Sequence, residues 1–277
     1  MSDLRGQTIV ITGSSRGIGR CMALAFARDG ANLVIAAKSA QPHPKLPGTI
    51  HTVAEEVRAA GGEALAVQVD VRLEEQVGAM VEAAVQRFGR IDALINNAGA
   101  ISLTPVEKTS VQRYDLMQDI NARAVFVCSQ AALPYLKQAP NPHILSMAPP
   151  LNLHSAGLRD HAPYTLSKYA MTLLSLGMAE EFRKYRIAVN CLWPRTIIAT
   201  AAIEFAVGDR NMLKVCRKPE IVADAAYRIL TAPSDSLTGQ TLIDEDILRR
   251  HGITDFDHYA YDPDFAGKPH PDIFLDG

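Results

Sequence analysis

The chain is poor in the features that mark several protein classes. Its four cysteines, Cys21, Cys128, Cys191 and Cys216, are scattered over 277 residues. None forms a C-x-x-C pair or stands at metal-ligand spacing from a histidine, so neither a disulfide scaffold nor a zinc motif is expected. They read as reduced, mostly packed thiols. No apolar run reaches the roughly 18 residues that a membrane-crossing helix needs. The formal charge is −2 with no basic stripe, which argues against a nucleic-acid surface. The opening Met1-Ser2-Asp3-Leu4-Arg5-Gly6 lacks the apolar core of a signal peptide. The closing Phe274-Leu275-Asp276-Gly277 is neither a peroxisomal signal nor a lipidation box. These absences predict a cytoplasmic protein with no metal, no membrane and no nucleic-acid partner.

What is present is alternation. Near-continuous apolar runs occupy Thr8–Thr12, Asn32–Ala37, Ala64–Asp70, Ala93–Asn96, His143–Met147, Ile187–Trp193 and Gln240–Asp244. Runs of this length suit parallel strands buried on both faces. Helical patterns lie between them, at Gly17–Asp29, Thr52–Ala60, Glu74–Phe88, Gln112–Leu136, Tyr164–Tyr185 and Pro219–Thr231. Such alternation predicts an α/β fold, a doubly wound parallel sheet of about seven strands with helices on both faces. It reads as a single domain over residues 1–277, with no repeat or low-complexity block.

The stretch Ile9-Val10-Ile11-Thr12-Gly13-Ser14-Ser15-Arg16-Gly17-Ile18-Gly19 is a strand, a glycine turn and a helix start. Glycines let a backbone approach a diphosphate closely, and free N–H groups with the helix dipole favour its charge. Gly13, Ser14, Ser15, Arg16, Gly17, Ile18 and Gly19 are therefore the expected cradle of a dinucleotide.

The spacing T-G-x-x-x-G-x-G, followed by Asn96-Asn97-Ala98-Gly99 and by Tyr164-Thr165-Leu166-Ser167-Lys168, resembles the short-chain dehydrogenase/reductase family. The resemblance runs from Gly6 to about Asp244 and implies a Rossmann-type fold, a nicotinamide cofactor and alcohol–carbonyl chemistry. It implies that Tyr164 is the acid/base and that Lys168 binds the nicotinamide ribose. Four residues apart on a helix, the two share a face, with Cβ atoms roughly 5–6 Å apart. A nearby cation is what a tyrosine needs to act near neutral pH. By the same resemblance the Asn121 side chain helps order a water leading from the lysine. Asp70, with Val71 beside it, meets the adenine, and the turn from Asn97 packs against the cofactor and stabilises the central sheet. Thr196, Ile197 and Thr200 contact the carboxamide. A substrate lid is expected at about 197–215 and a tail at about 245–277.

Cofactor choice turns on the end of the second strand. An acidic residue there would bind the NAD ribose and repel a 2′-phosphate. This chain has Ala37, then Lys38, with Arg16 in the glycine turn, which predicts NADP. The proline-rich stretch from Ser39 to Gly48 is either a stiff surface insertion or a wall beside the adenosine.

Two departures stand out. The family serine after the fifth strand aligns with Pro149, which has neither a donor side chain nor an N–H. Ser146 points to the opposite sheet face by strand alternation, leaving His154, Ser155 and His161 as loop alternatives. Arg195 replaces the glycine of the family Pro-Gly, either steering an acidic substrate or pairing with a carboxylate. The apolar run Ala201, Ala202, Ile203, Phe205, Ala206 and Val207 in the lid predicts a bulky apolar small-molecule substrate, such as a terpenoid, steroid-like or acyl-chain carbonyl. The expected assembly is a homodimer or homotetramer. The alternative is a nucleotide-binding sensor or scaffold with weak or no catalysis.

Overall fold

Strand alternation divides the sheet's side chains between two core layers. The computed structural model describes residues 3–44, 46–154, 158–201, 203–204, 210–265 and 267–275. Its strands are β1 (Thr8–Thr12), β2 (Asn32–Ala37), β3 (Glu63–Gln68), β4 (Ala93–Asn96), β5 (His143–Met147), β6 (Ala188–Trp193) and β7 (Thr241–Ile243). All pair in parallel in the order β3-β2-β1-β4-β5-β6-β7. Ile9, Ile11, Leu33 and Ile35 face one layer with Met22 and Phe26. Val10, Val34, Leu94 and Ile144 face the other with Met80 and Val125. Period-two side chains buried on both faces are what helices on both sides of a parallel sheet require.

The first layer is covered by α1 (Gly17–Ala27), α2 (Ile50–Ala59), α7 (Glu220–Leu230) and α8 (Asp244–Arg250). The second is covered by α3 (Glu74–Phe88), α5 (Ala124–Leu136) and α6 (Ala162–Phe182), with the short α4 (Val111–Met117) ahead of α5. No helix among the described residues is long and apolar enough to cross a membrane. All four cysteines are buried and unpaired.

Three elements differ from the sequence reading. The long helix expected over Gln112–Leu136 is broken by a π-type turn at Gln118–Arg123, where the backbone widens around buried Asn121. β3 stops at Gln68, and the Asp70 N–H then donates to Gln76 Oε1 at 2.8 Å, which bends the chain out of the sheet. β7 ends at Ile243, and Asp244 begins a helix rather than closing the strand.

Strand order reverses between β1 and β4, so their carboxyl ends open a crevice. Ligands of doubly wound sheets sit at such a switch point.

Candidate active site

At the crevice the glycine turn is shaped by close approach. Gly13 has φ 68°, and a Cβ on it would lie 2.8 Å from Ala98 Cα. A Cβ on Gly19 would fall 2.5 Å from Asn97 Nδ2, closer than real contacts permit. Asn97 Nδ2 donates to the carbonyls of Thr12 and Gly13 at 2.9 and 3.1 Å. Thr12 Oγ1 accepts from the N–H groups of Asn97 and Ala98. Ser14 Oγ donates to the Ile11 carbonyl at 2.7 Å and accepts the Ala36 N–H at 2.9 Å. The side chains of Ser14 and Asn97 thus tie strand ends together and build the cradle. The N–H groups of Gly17, Ile18 and Gly19 open α1 and have no carbonyl within the helix to bond. Ser15 is buried beside them, and Thr200 Cγ2 stands 3.5 Å from where a Gly17 Cβ would be.

At the end of β2, Ala37 is buried and Lys38 exposed. Lys38 Nζ lies 3.1 Å from Asp70 Oδ2, and Arg72 grips the same carboxylate at 2.6 Å. The Arg72 hydrogen bonds, helped by Lys38 against a burial penalty, hold the Asp70 carboxyl far below its ordinary range. Arg72 was not anticipated; its place two residues after Asp70 was the available signal. Val71 packs its side chain into the core beside α3, so only its backbone can face a ligand. Lys38 and Asp70 line a cavity of about 430 Å³ with Gln68, Val69, Leu73 and Gln76.

Arg16 donates to Ser39 Oγ at 3.0 Å and to the carbonyls of Pro47 and Gly48 at 2.9 and 3.2 Å. Gly48 presses on the turn itself, since a Cβ there would sit 2.3 Å from the Ser15 carbonyl. The proline-rich stretch therefore lies against the glycine turn, next to Lys38, and is more than a remote insertion.

The Tyr164–Lys168 pair lies on α6. Tyr164 and Lys168 are both buried, at 7% and 5% exposure. Lys168 Nζ donates to the Met147 carbonyl at 2.6 Å, touches Met171 Sδ at 3.3 Å, and stands 4.8 Å from the centre of the Trp193 ring. Burial lowers its pKa to about 7, while Asp272 and Cys191 act to raise it. Burial also raises the Tyr164 phenol, and Asp272 adds to that. Asn121 Oδ1 accepts the Ala100 N–H at 2.8 Å, and its Nδ2 donates to the Ala100 carbonyl and Ser167 Oγ at 2.9 and 2.8 Å. Ser167 in turn donates to the Tyr164 carbonyl at 2.7 Å. Through these bonds the amide ties α6 to the β4 exit.

Pro149 is buried, and its carbonyl accepts from Thr172 Oγ1 at 2.6 Å. Ser146 bonds Ser175 at 2.8 Å on the α6 side, as strand alternation requires. Among the loop alternatives, Ser155 lies outside the described residues, as do Ala202, Phe205, Ala206 and Val207 of the lid. His154 is exposed. His161, directly before α6, has a buried Nε2 with no partner among the described residues, and burial lowers its pKa.

After β6, Arg195 resolves as an ion pair with Asp246 at 2.6 Å and with Glu245 at 3.6 Å. Thr196 Oγ1 is buried without a partner among the described residues. Such an atom, together with the glycine cradle, suits a nicotinamide dinucleotide, whose carboxamide carries both a donor and an acceptor. The Ile197 N–H donates to the His270 carbonyl at 3.0 Å. The acceptor belongs to the tail, which the sequence left unassigned. Thr196 also pairs with Pro271, Asp272 N–H donates to the Arg195 carbonyl at 3.0 Å, and Trp193 Nε1 donates to Asp272 at 2.7 Å. Phe274 then packs on Tyr164, Tyr169 and Trp193, with ring centroids 5.8, 5.7 and 5.4 Å apart.

Known proteins share this arrangement. The chain is 55% identical over 275 residues to hydroxysteroid dehydrogenase-like protein 2 of Danio rerio, covering 99% of this chain and 65% of that protein. It thus spans just under two thirds of that relative's length. A solved structure from Xanthomonas campestris matches with a TM-score of 0.95 and 52% identity, covering 100% of both chains. A short chain dehydrogenase from Mycobacterium thermoresistibile matches with a TM-score of 0.93 and 46% identity, covering 99% of this chain and 96% of that one. Residues 7–207 match the short chain dehydrogenase family model, a span that holds the glycine turn, Asn97 and the Tyr164–Lys168 pair, and to that family of oxidoreductases this chain belongs.

Proposed function

We propose that the chain is an NADP(H)-dependent oxidoreductase that interconverts an alcohol and a carbonyl on a bulky apolar substrate. The observation that carries this reading is the helix face holding Tyr164 and Lys168 beside the cradle at the sheet's switch point. Bound there, a nicotinamide dinucleotide would supply or accept the hydride. Gly17, Ile18 and Gly19 offer N–H groups to its diphosphate, and Lys38, Arg16 and Ser39 gather where a 2′-phosphate would lie. Tyr164 donates its phenolic proton to the carbonyl oxygen in reduction and takes it back in oxidation. Its raised pKa favours the protonated, proton-donating form. Lys168 reaches the ribose by leaving the Met147 carbonyl. His161 is our choice for the donor that Pro149 cannot be, because its Nε2 is the unsatisfied group nearest the start of α6.

A nucleotide sensor is the second reading, favoured by one observation: the tail holds the Ile197 N–H and covers Tyr164. Turnover separates the two. Aldehydes, ketones and alcohols of graded size are to be screened with NADPH and NADP⁺ on the parent chain and on Tyr164→Phe and Lys168→Met. Tyr164→Phe should abolish turnover with NADPH binding intact, and Lys168→Met should weaken both. Tight NADPH binding without turnover of any compound would favour the sensor.

A further inference from the structure

A segment from the far end of the chain packs on Tyr164. Phe274 is 2% exposed and closes a box whose other walls are the rings of Tyr164, Tyr169 and Trp193. Each wall is fixed from behind. Tyr169 Oη donates to the Asn152 carbonyl at 2.6 Å, and Trp193 extends from the last residue of β6. Phe274 is held by its own segment: Asp272 Oδ1 accepts both the Trp193 indole N–H at 2.7 Å and the Phe274 N–H at 3.1 Å. That carboxylate sets the turn from which the ring projects. Met117 and Ile243 complete the buried cluster, with Leu103 and Leu158 packed at its border. The space before the tyrosine is therefore apolar, aromatic and bounded on one side by a residue of the tail.

We infer that Phe274 is a specificity-determining residue of the site, an aromatic wall that the Asp272–Trp193 bond sets in place and that limits the size of the carbonyl compound reaching Tyr164. This rests on Tyr164 being the acid, as proposed above. A hydrophobic pocket discriminates by the groups it has room for, about 10–200-fold per methylene-sized difference. Replacing a benzyl side chain by a methyl opens considerably more room than that. Asp272 acts through Phe274 and is a positioning residue.

The experiment compares benzaldehyde with 2-naphthaldehyde, which differ by a fused ring, as substrates with NADPH. Phe274→Ala should raise the ratio of kcat/KM for the larger over the smaller by about tenfold or more. Phe274→Leu should do so less, and Asp272→Ala, which removes the acceptor, should move the ratio in the same direction. A purely structural Phe274 would lower both values together and leave the ratio unchanged, overturning the inference. Tyr164→Phe runs beside them: turnover retained there sinks the proposed mechanism, whereas turnover lost there with an unmoved ratio sinks only the role of Phe274. The chain's single tryptophan gives a readout independent of turnover. Trp193 emission should shift to the red in Phe274→Ala and Asp272→Ala as the indole loses its ring neighbour or its acceptor. Unchanged emission in both variants would show that the tail does not occupy this place and would overturn the proposal even where neither aldehyde is reduced.

Discussion

Lys38 illustrates how a single side chain acquires a meaning from its neighbours. Beside a neutral Ala37 it argues for a 2′-phosphate, and it also sits 3.1 Å from Asp70. Asp70 keeps its bidentate partner Arg72 when Lys38 is removed, so the carboxylate stays paired. Lys38→Ala should therefore weaken NADPH binding by about 1–3 kcal/mol, the range of a charge-assisted hydrogen bond, and leave NADH nearly unchanged. Isothermal titration with both cofactors measures this. Equal losses for the two would mean that Lys38 serves Asp70 and the adenine end and does not read the phosphate. Arg16 carries the complementary charge, but its guanidinium also holds the Pro47 and Gly48 carbonyls, so its replacement would disturb two functions at once.

The proline-rich stretch between β2 and α2 works as an element. It ends at Gly48, whose φ of 76° few other residues tolerate and whose missing Cβ leaves room for the Ser15 carbonyl. Thr49 then caps α2 in a reciprocal pair with Thr52. Position 48 is therefore constrained both by its dihedral and by contact. Gly48→Ala should push the stretch off the glycine turn, weakening cofactor binding at least several-fold with only about 1–2 kcal/mol lost from the fold, since α2 keeps its cap. Cofactor titration and urea unfolding of the variant separate the two effects; unaltered binding would show the stretch to be a bystander. At the middle of the sheet, the π-type turn around Asn121 is the comparable device. There the amide bonds Ala100 and Ser167 and so links the β4 exit to α6, the helix of Tyr164 and Lys168.

Across the whole molecule the two core layers carry stability, and a few buried charges tune it. Asp244 is fully buried where β7 passes into α8. Its Oδ1 accepts the N–H groups of Arg195 and Glu245 at 2.9 and 2.7 Å, and its Oδ2 has no partner among the described residues. Burial pushes this carboxyl up to about 7, against the pull of those two N–H bonds. The unfolded chain releases the same proton near pH 4. Between about pH 4 and pH 7 the native state therefore holds a proton that the unfolded state has lost, and this contribution to stability declines as pH rises. Urea unfolding at several pH values should show Asp244→Asn gaining on the parent chain as pH rises from 4 to 7. A difference between the two that does not change with pH would show that Asp244 is ionised throughout.

Features set by neighbours in the chain were legible from the sequence alone. The seven strands follow from runs of apolar residues, the dinucleotide cradle from glycines between a strand and a helix, and the Tyr164–Lys168 face from a spacing of one helical turn. Each depends on periodicity or local sterics, which residue order contains directly. Tertiary structure alone decided that Lys38 joins Arg72 at Asp70, that Asn121 and Ser14 turn inward, and that Ile197 bonds the tail. It also decided that Phe274 lies on Tyr164. Those contacts join residues far apart in the chain, and each arises because a buried donor, acceptor or ring takes whichever complementary group the packing brings near. Order along the chain thus determined the scaffold and the Tyr164–Lys168 pair, while long-range packing determined which polar groups remain for a ligand and what bounds the space before the tyrosine.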